Sequence, residues 1–170
     1  MKGIYAVAAI FVWVTWGTPA PAQSGGNCVA NGSDYEICVS SFLPPSKVAT
    51  YGPENLFDPV LAWCEGGAGD GVGEEIFLRI NNGARLTGIE IQNGYSRTAK
   101  TYRENARVRS FSIETDKGGF GQTVLQDSPD TQTLEFFPDR YEWVSLVVTS
   151  VYPGTKYEDL CVNVVWPDLN

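Results

Sequence analysis

Histidine is absent from the 170 residues. Without an imidazole, neither a Ser-His-Asp nor a Cys-His arrangement can be built, which removes the commonest hydrolytic nucleophiles. Metal chemistry is thinned by the same absence. No C-x-x-C pair occurs, so a zinc site would need all four scattered thiolates of Cys28, Cys38, Cys64 and Cys161. Positive charge is scarce too. Twelve Lys and Arg stand against twenty Asp and Glu, a net charge of −8, and such a surface repels phosphate backbones and anionic bilayers alike. Nucleic acid is therefore not an expected partner. Long apolar runs are lacking beyond the first 22 residues, so no stable membrane insertion of the remainder is expected.

What is present begins with a leader-like N-terminus. Lys2 is the only charge in the first thirty residues, an apolar run extends from Ile4 to Trp16, and Thr18-Pro19-Ala20-Pro21-Ala22 follows. A basic start, a short hydrophobic stretch and small residues before a cleavage point make a secretory signal peptide, expected to be cut after Ala22. The run is shorter than the ~20 residues that span a bilayer. An exported chain, secreted or periplasmic, with an even number of cysteines reads as a disulfide framework of two bridges, for which three pairings exist.

The exported part divides into an irregular, Gly/Ser/Asn-rich segment 23–37 and one domain over 38–170. In the latter the period is two. Ile76, Leu78 and Ile80 alternate with Phe77 and Arg79, Ile89 and Ile91 continue the pattern from Leu86 to Asn93, and Phe111, Ile113 and Thr115 share one side of Arg107–Thr115. Val108 is off that parity, which predicts a bulge near Arg109–Ser110. Further strands are expected at 62–64, 121–126, 131–136, 142–151 and 160–166, a single helical turn at Pro53–Phe57, and a short helix within Thr98–Glu104. Many short strands separated by turn residues indicate an all-β sandwich. In an antiparallel arrangement alternate loops emerge together, so 65–73, 94–106, 127–130 and 152–159 share one end, and 81–85, 116–120 and 137–141 the other. Cys64 and Cys161 fall at the first end. Parity thus favours Cys64–Cys161 and leaves Cys28–Cys38 as the local pair, without excluding the other connectivities.

The long loops at that end hold most of the chemistry. The glycines of Gly66-Gly67-Ala68-Gly69-Asp70-Gly71 are followed by no Lys-Ser/Thr and are flanked by Glu65, Asp70 and Glu74, so they are no phosphate cradle. Tyr95, Tyr102, Tyr152, Tyr157 and Trp63 offer flat faces, although Trp63, adjoining Cys64, suits a core plug better. Asn93, Asn105, Lys100, Lys156, Glu65 and Asp70 offer amides and charges. Aromatic faces beside such groups suit a sugar, and equally a protein hot spot. Glu65 with Asp70 is the one pair that could serve a glycoside hydrolase, given a cleft between them. No cofactor is expected, and oxygens of Asp58 or Asp159 are an unspecific signal for a structural calcium ion.

Several ordered motifs resemble a known family. Tyr51-Gly52-Pro53-Glu54-Asn55-Leu56-Phe57-Asp58, Ala62-Trp63-Cys64-Glu65-Gly66, Gly69-Asp70-Gly71-Val72-Gly73-Glu74, Asn93-Gly94-Tyr95, Asn105-Ala106-Arg107-Val108 and Val151–Asp159 are similar to the discoidin-like glycan-binding, or translocation, domain first known beside NAD glycohydrolase. The resemblance spans about residues 38–166. It implies a galactose-binding-like jelly roll with short helical turns, no catalysis, and ligand capture by loops at one end. Pro59-Val60-Leu61 is shorter than the family's usual turn, which often helps to build a cation or ligand site, and no catalytic domain accompanies the module. The expected function is non-catalytic glycan binding, with Glu65, Asp70, Asn93, Tyr95, Tyr102, Asn105, Tyr152 and Lys156 as candidate ligand residues. An interaction module for cell-envelope proteins is the alternative.

Overall fold

The computed structural model describes residues 27–170, apart from the side chain of Phe120. The expected signal peptide and its cleavage point lie outside the described residues. The strands are β1 (Cys28–Asn31), β2 (Tyr35–Val39), β3 (Trp63–Cys64), β4 (Glu75–Ile80), β5 (Leu86–Asn93), β6 (Arg107–Thr115), β7 (Gly118–Val124), β8 (Thr131–Asp139), β9 (Trp143–Tyr152) and β10 (Cys161–Leu169). A 3-10 turn covers Pro53–Leu56, and one short helix, α1, covers Ala99–Glu104.

Two antiparallel sheets face each other. One has the order β1-β2-β4-β9-β6-β7 and the other β3-β10-β5-β8. Their inner faces are the alternating residues of the sequence. Ile76 and Leu78 of β4, Val144, Leu146 and Val148 of β9, and Phe111 and Ile113 of β6 meet Ile89 and Ile91 of β5 and Val162 and Val165 of β10. Removing these side chains from water is the main source of stability, at roughly 1.5–3 kcal/mol for each large one. The register of β6 against β9 shifts between Val108 and Ser110 and again between Ser110 and Phe111, the bulge that the parity break predicts. Trp63 is fully buried and donates its indole N–H to the Ser41 carbonyl at 2.8 Å, so it plugs the core and spends its polar edge internally.

The segment expected to be irregular, 23–37, is not so in its second part. β1 and β2 form a hairpin on the edge of the larger sheet, with Cys28 directly opposite Cys38. Asn31-Gly32 lies at its turn, and Tyr35, Ile37 and Val39 alternate into the core. Asn-Gly followed by period-two apolar residues is itself a hairpin signal, outweighed in the sequence by the surrounding Gly and Ser.

Both disulfides form as parity suggested, Cys28–Cys38 and Cys64–Cys161. The second ties β3 to β10 at directly opposed positions. The loops after β3, β5, β7 and β9 do emerge together. Glu65 N–H bonds to Leu160 O, Ala106 N–H to Asp159 O, Thr155 N–H to Arg103 O, and the Tyr152 hydroxyl to Leu125 O.

Candidate functional site

At this end the chain forms a hollow of about 320 Å³ over the Cys64–Cys161 bridge. It is lined by Leu43, Tyr51 and Tyr95, by Thr101, Glu104 and Asn105 of the β5–β6 loop, and by Tyr157 and Asp159 of the β9–β10 loop. Leu43, Tyr51 and Tyr95 pack on the disulfide and Ala62, which gives the hollow an apolar floor. A second hollow of about 350 Å³ adjoins it across Tyr157, between Asp70 and the stretch Pro153–Glu158.

Backbone hydrogen bonds fix the rim. Tyr157 N–H donates to Glu104 O at 2.8 Å, Leu43 N–H to Cys64 O at 2.9 Å, and Cys64 N–H to Tyr51 O at 3.2 Å. Thr98 caps α1, with its hydroxyl accepting from Thr101 N–H. Arg107 joins three loops at once. Its Nε and Nη2 clasp the Asp127 carboxylate at 2.9 Å each, and its Nη1 donates to Asn105 O at 2.9 Å and Pro153 O at 3.3 Å. Bidentate pairing of this kind is the strong form of a charged hydrogen bond. The Arg107 hydrogen bond holds the Asp127 carboxyl below its ordinary range.

The eight candidate residues are distributed between this rim and the scaffold. Tyr95 and Asn105 line the first hollow, and Asp70 and Lys156 the second. Asp70 also accepts from Val72 N–H, a local turn contact. Asn93 is fully buried, with both side-chain polar atoms bonded to the backbone of Val108 at 2.7 and 3.0 Å, and it staples β5 to β6. The Tyr102 hydroxyl donates to Asp127, and burial followed by the Asp127 carboxylate pushes its pKa up, so it remains a donor. The Tyr152 hydroxyl is spent on Leu125 O. Glu65 is 1% exposed and lines neither hollow, so it shares no cleft there with Asp70 for acid–base work. Its Oε1 faces Leu160 N–H at 3.5 Å, and the backbone of Gly67 also stabilises the carboxylate. Burial, then the nearby Glu74 and Asp159 carboxylates, raises its pKa. Tyr51, Thr101 and Glu104 were not among the candidates, nor were Tyr157 and Asp159 chosen for the ligand set.

A cation at the turn Pro59–Leu61 would need the oxygens of that turn free to gather around it. Two of the turn's carbonyls, Pro59 O and Leu61 O, receive the Asn163 side-chain amide, and the Asn163 oxygen accepts from Ser96 N–H and hydroxyl. An amide donor stands where a cation would have to gather those oxygens, and Asp58 is turned to Val60 N–H at 2.7 Å. The residues present do not fit an ion there.

The sequence model of the NAD glycohydrolase translocation F5/8 type C domain matches residues 30–166. The chain belongs to that family. No curated relative matches it significantly. Among solved structures, this F5/8 type C chain is similar to CpGH89CBM32-5 from Clostridium perfringens, in complex with GalNAc-beta-1,3-galactose, at 14% identity and a TM-score of 0.59, covering 77% of this chain and 92% of that one. The family 32 CBM of C. perfringens NanJ, in complex with galactose, gives 12% identity, a TM-score of 0.59, and 78% and 92% coverage. Arabinofuranosyltransferase AftD from Mycobacteria gives 17% identity and a TM-score of 0.61, covering 81% of this chain but 11% of that much longer one. At these identities the likeness shows the fold, a discoidin-like β-sandwich resembling carbohydrate-binding modules.

Proposed function

We propose that this F5/8 type C domain is an exported, non-catalytic module that captures a glycan in the hollow over Cys64–Cys161. The observation that carries the proposal is the convergence of Tyr51, Tyr95 and Tyr157 with Glu104, Asn105 and Asp159 on one cavity of about 320 Å³. That volume is at the lower end of small-ligand sites, sized for a sugar unit or two. Apolar C–H faces would lie on the tyrosine rings while hydroxyls reach the amide and carboxylates. Sugar complexes of the two clostridial modules on the same fold support the assignment. Two disulfides, together with the absence of any helix long and apolar enough to cross a membrane among the described residues, are compatible with an extracellular setting.

A glycan array followed by titration calorimetry tests the proposal. Tyr157→Ala, at a residue 41% exposed that packs little, and Tyr95→Ala are each expected to weaken binding about five- to tenfold, the scale of losing an aromatic anchor. Tyr152→Ala, at a residue that lines neither hollow, is expected to leave affinity within about twofold. Equal loss in all three variants would move the site elsewhere on the rim. Capture of envelope proteins that survives excess free sugar would favour a protein ligand instead.

A further inference from the structure

The wall of the tyrosine-lined hollow is one-sided in charge. Its acidic side chains are Glu104 and Asp159, and no Lys or Arg lines it. Glu104 pairs with Lys100 at 3.9 Å, whose side chain is 76% exposed, and also lies in the field of the fully exposed Lys156; cations so open to water neutralise little. The Asp159 carboxylate has no ion pair or hydrogen bond among the described residues; only its backbone oxygen is engaged. Outside the hollow's lining, the buried Glu65 lies in the field of Glu74 and Asp159. Across Tyr157, the second hollow adds Asp70 and Glu158 against the single Lys156.

The rings point the same way. Tyrosine faces carry the negative part of the aromatic quadrupole and attract cations by about 0.5–2 kcal/mol each. One of the three already does so within the chain, since Lys156 Nζ lies 4.6 Å from the Tyr157 ring centroid. Tyr51 and Tyr95, two weakly compensated carboxylates and no Lys or Arg in the lining form a receptor for an ammonium group, with Tyr157 available to it wherever Lys156 is displaced. An acidic sugar placed there would be repelled by Glu104 and Asp159.

We infer that the hollow selects a cationic ligand, a glycan bearing a protonated primary amine such as a de-N-acetylated amino sugar, over neutral and acidic glycans. The sugar part of this inference rests on the glycan-binding proposal above; the ammonium part rests on the wall itself. Calorimetry at low salt, below the amine's own pKa, would compare the glucosamine tetramer with its N-acetylated counterpart, and tetramethylammonium chloride would probe the bare cation by NMR of the tyrosine rings. The amine-bearing tetramer is expected to bind about tenfold tighter, with the preference shrinking as salt rises. In Glu104→Gln combined with Asp159→Asn, checked for folding by thermal unfolding, the preference is expected to fall to about two- to threefold. Glu104→Gln alone serves if the double variant unfolds. Equal affinity for both tetramers, or tighter binding of the acetylated one, overturns the ammonium inference and leaves glycan binding standing. Tetramethylammonium shifting the Tyr51, Tyr95 and Tyr157 signals while no glycan binds supports the ammonium receptor and overturns the glycan proposal. Silence from all three probes overturns both.

Discussion

Burial opposes the charge of Glu65, and only the backbone groups of Gly67 and Leu160, the latter at 3.5 Å from Oε1, work in its favour. Its carboxyl pKa is raised by burial and then by Glu74 and Asp159. For an acid whose folded pKa exceeds its unfolded value of about 4.5, the folded state holds the proton more tightly. The resulting stabilisation is complete below the unfolded pKa and is lost as pH rises through the folded one. Glu65→Gln removes the ionisation while keeping an oxygen for Leu160 N–H. It is expected to match or exceed wild-type stability at pH 7 and to lose the advantage near pH 4, measured by urea unfolding at both. A neutral-pH loss of more than about 1 kcal/mol would show that the carboxylate is a favourable contact. The opposite sensitivity belongs to Gly71, whose φ is +83° and where a Cβ would come within 2.5 Å of Leu160 Cβ. Gly71→Ala combines a left-handed backbone with a clash against a fully buried leucine, and is expected to cost about 2–4 kcal/mol in the same assay.

The loops of the binding end are short of regular structure and rely on cross-links between elements. Arg107, 7% exposed at the start of β6, bonds to the β5–β6, β7–β8 and β9–β10 loops. Asp127 sits on a partly exposed partner loop, so solvent screens part of the interaction. Asp127→Asn keeps the shape but leaves the guanidinium under-compensated, for an expected loss of about 1–3 kcal/mol at pH 7. Because the Asp127 pKa is depressed, its contribution is present above the unfolded value of about 3.8 and disappears as pH falls through the folded one. The gap between wild type and variant should therefore close on acidification; a gap unchanged at pH 2 would mean that packing, not charge, is responsible. Parity along the strands predicts this end of the sandwich and the bulge, and favours the observed cystine pairs, because period-two burial leaves strand direction little freedom. Side-chain roles within the loops were less legible. Asn93 has the parity of Ile89 and Ile91, an inward signal that its polarity obscured, whereas Tyr102 has no strand parity to reveal that its hydroxyl serves Asp127. Tyr51 lies in a stretch, 40–62, that forms no regular strand, so counting strands could not assign it to an end. Its backbone bond to Cys64, formed only in three dimensions, brings it to the hollow.

At the scale of the whole molecule, each sheet carries one cystine, Cys64–Cys161 between β3 and β10 and Cys28–Cys38 between β1 and β2, while packing holds the two sheets together. Cys64 and Cys161 are 97 residues apart, and a loop of that size corresponds in the chain-entropy model to about 4–5 kcal/mol of stabilisation. The same bridge is the floor on which Leu43, Tyr51 and Tyr95 pack, so under the glycan-binding proposal stability and ligand capture would share one bond. Cys28–Cys38, 10 residues apart on the edge hairpin, closes a short loop, lines neither hollow, and carries only the first of those functions. Two double variants separate the roles. Replacing Cys28 and Cys38 by Ala is expected to lower stability by about 2–3 kcal/mol and to leave glycan affinity within about twofold. Replacing Cys64 and Cys161 by Ala is expected to cost more stability and also to weaken binding at least tenfold under conditions where the chain is still folded, because the tyrosines lose their floor. The two quantities are read from urea unfolding and calorimetry on the same samples. If the second variant stays folded and binds as wild type does, the hollow over the cystine is not the receptor and the ligand lies elsewhere on the loops.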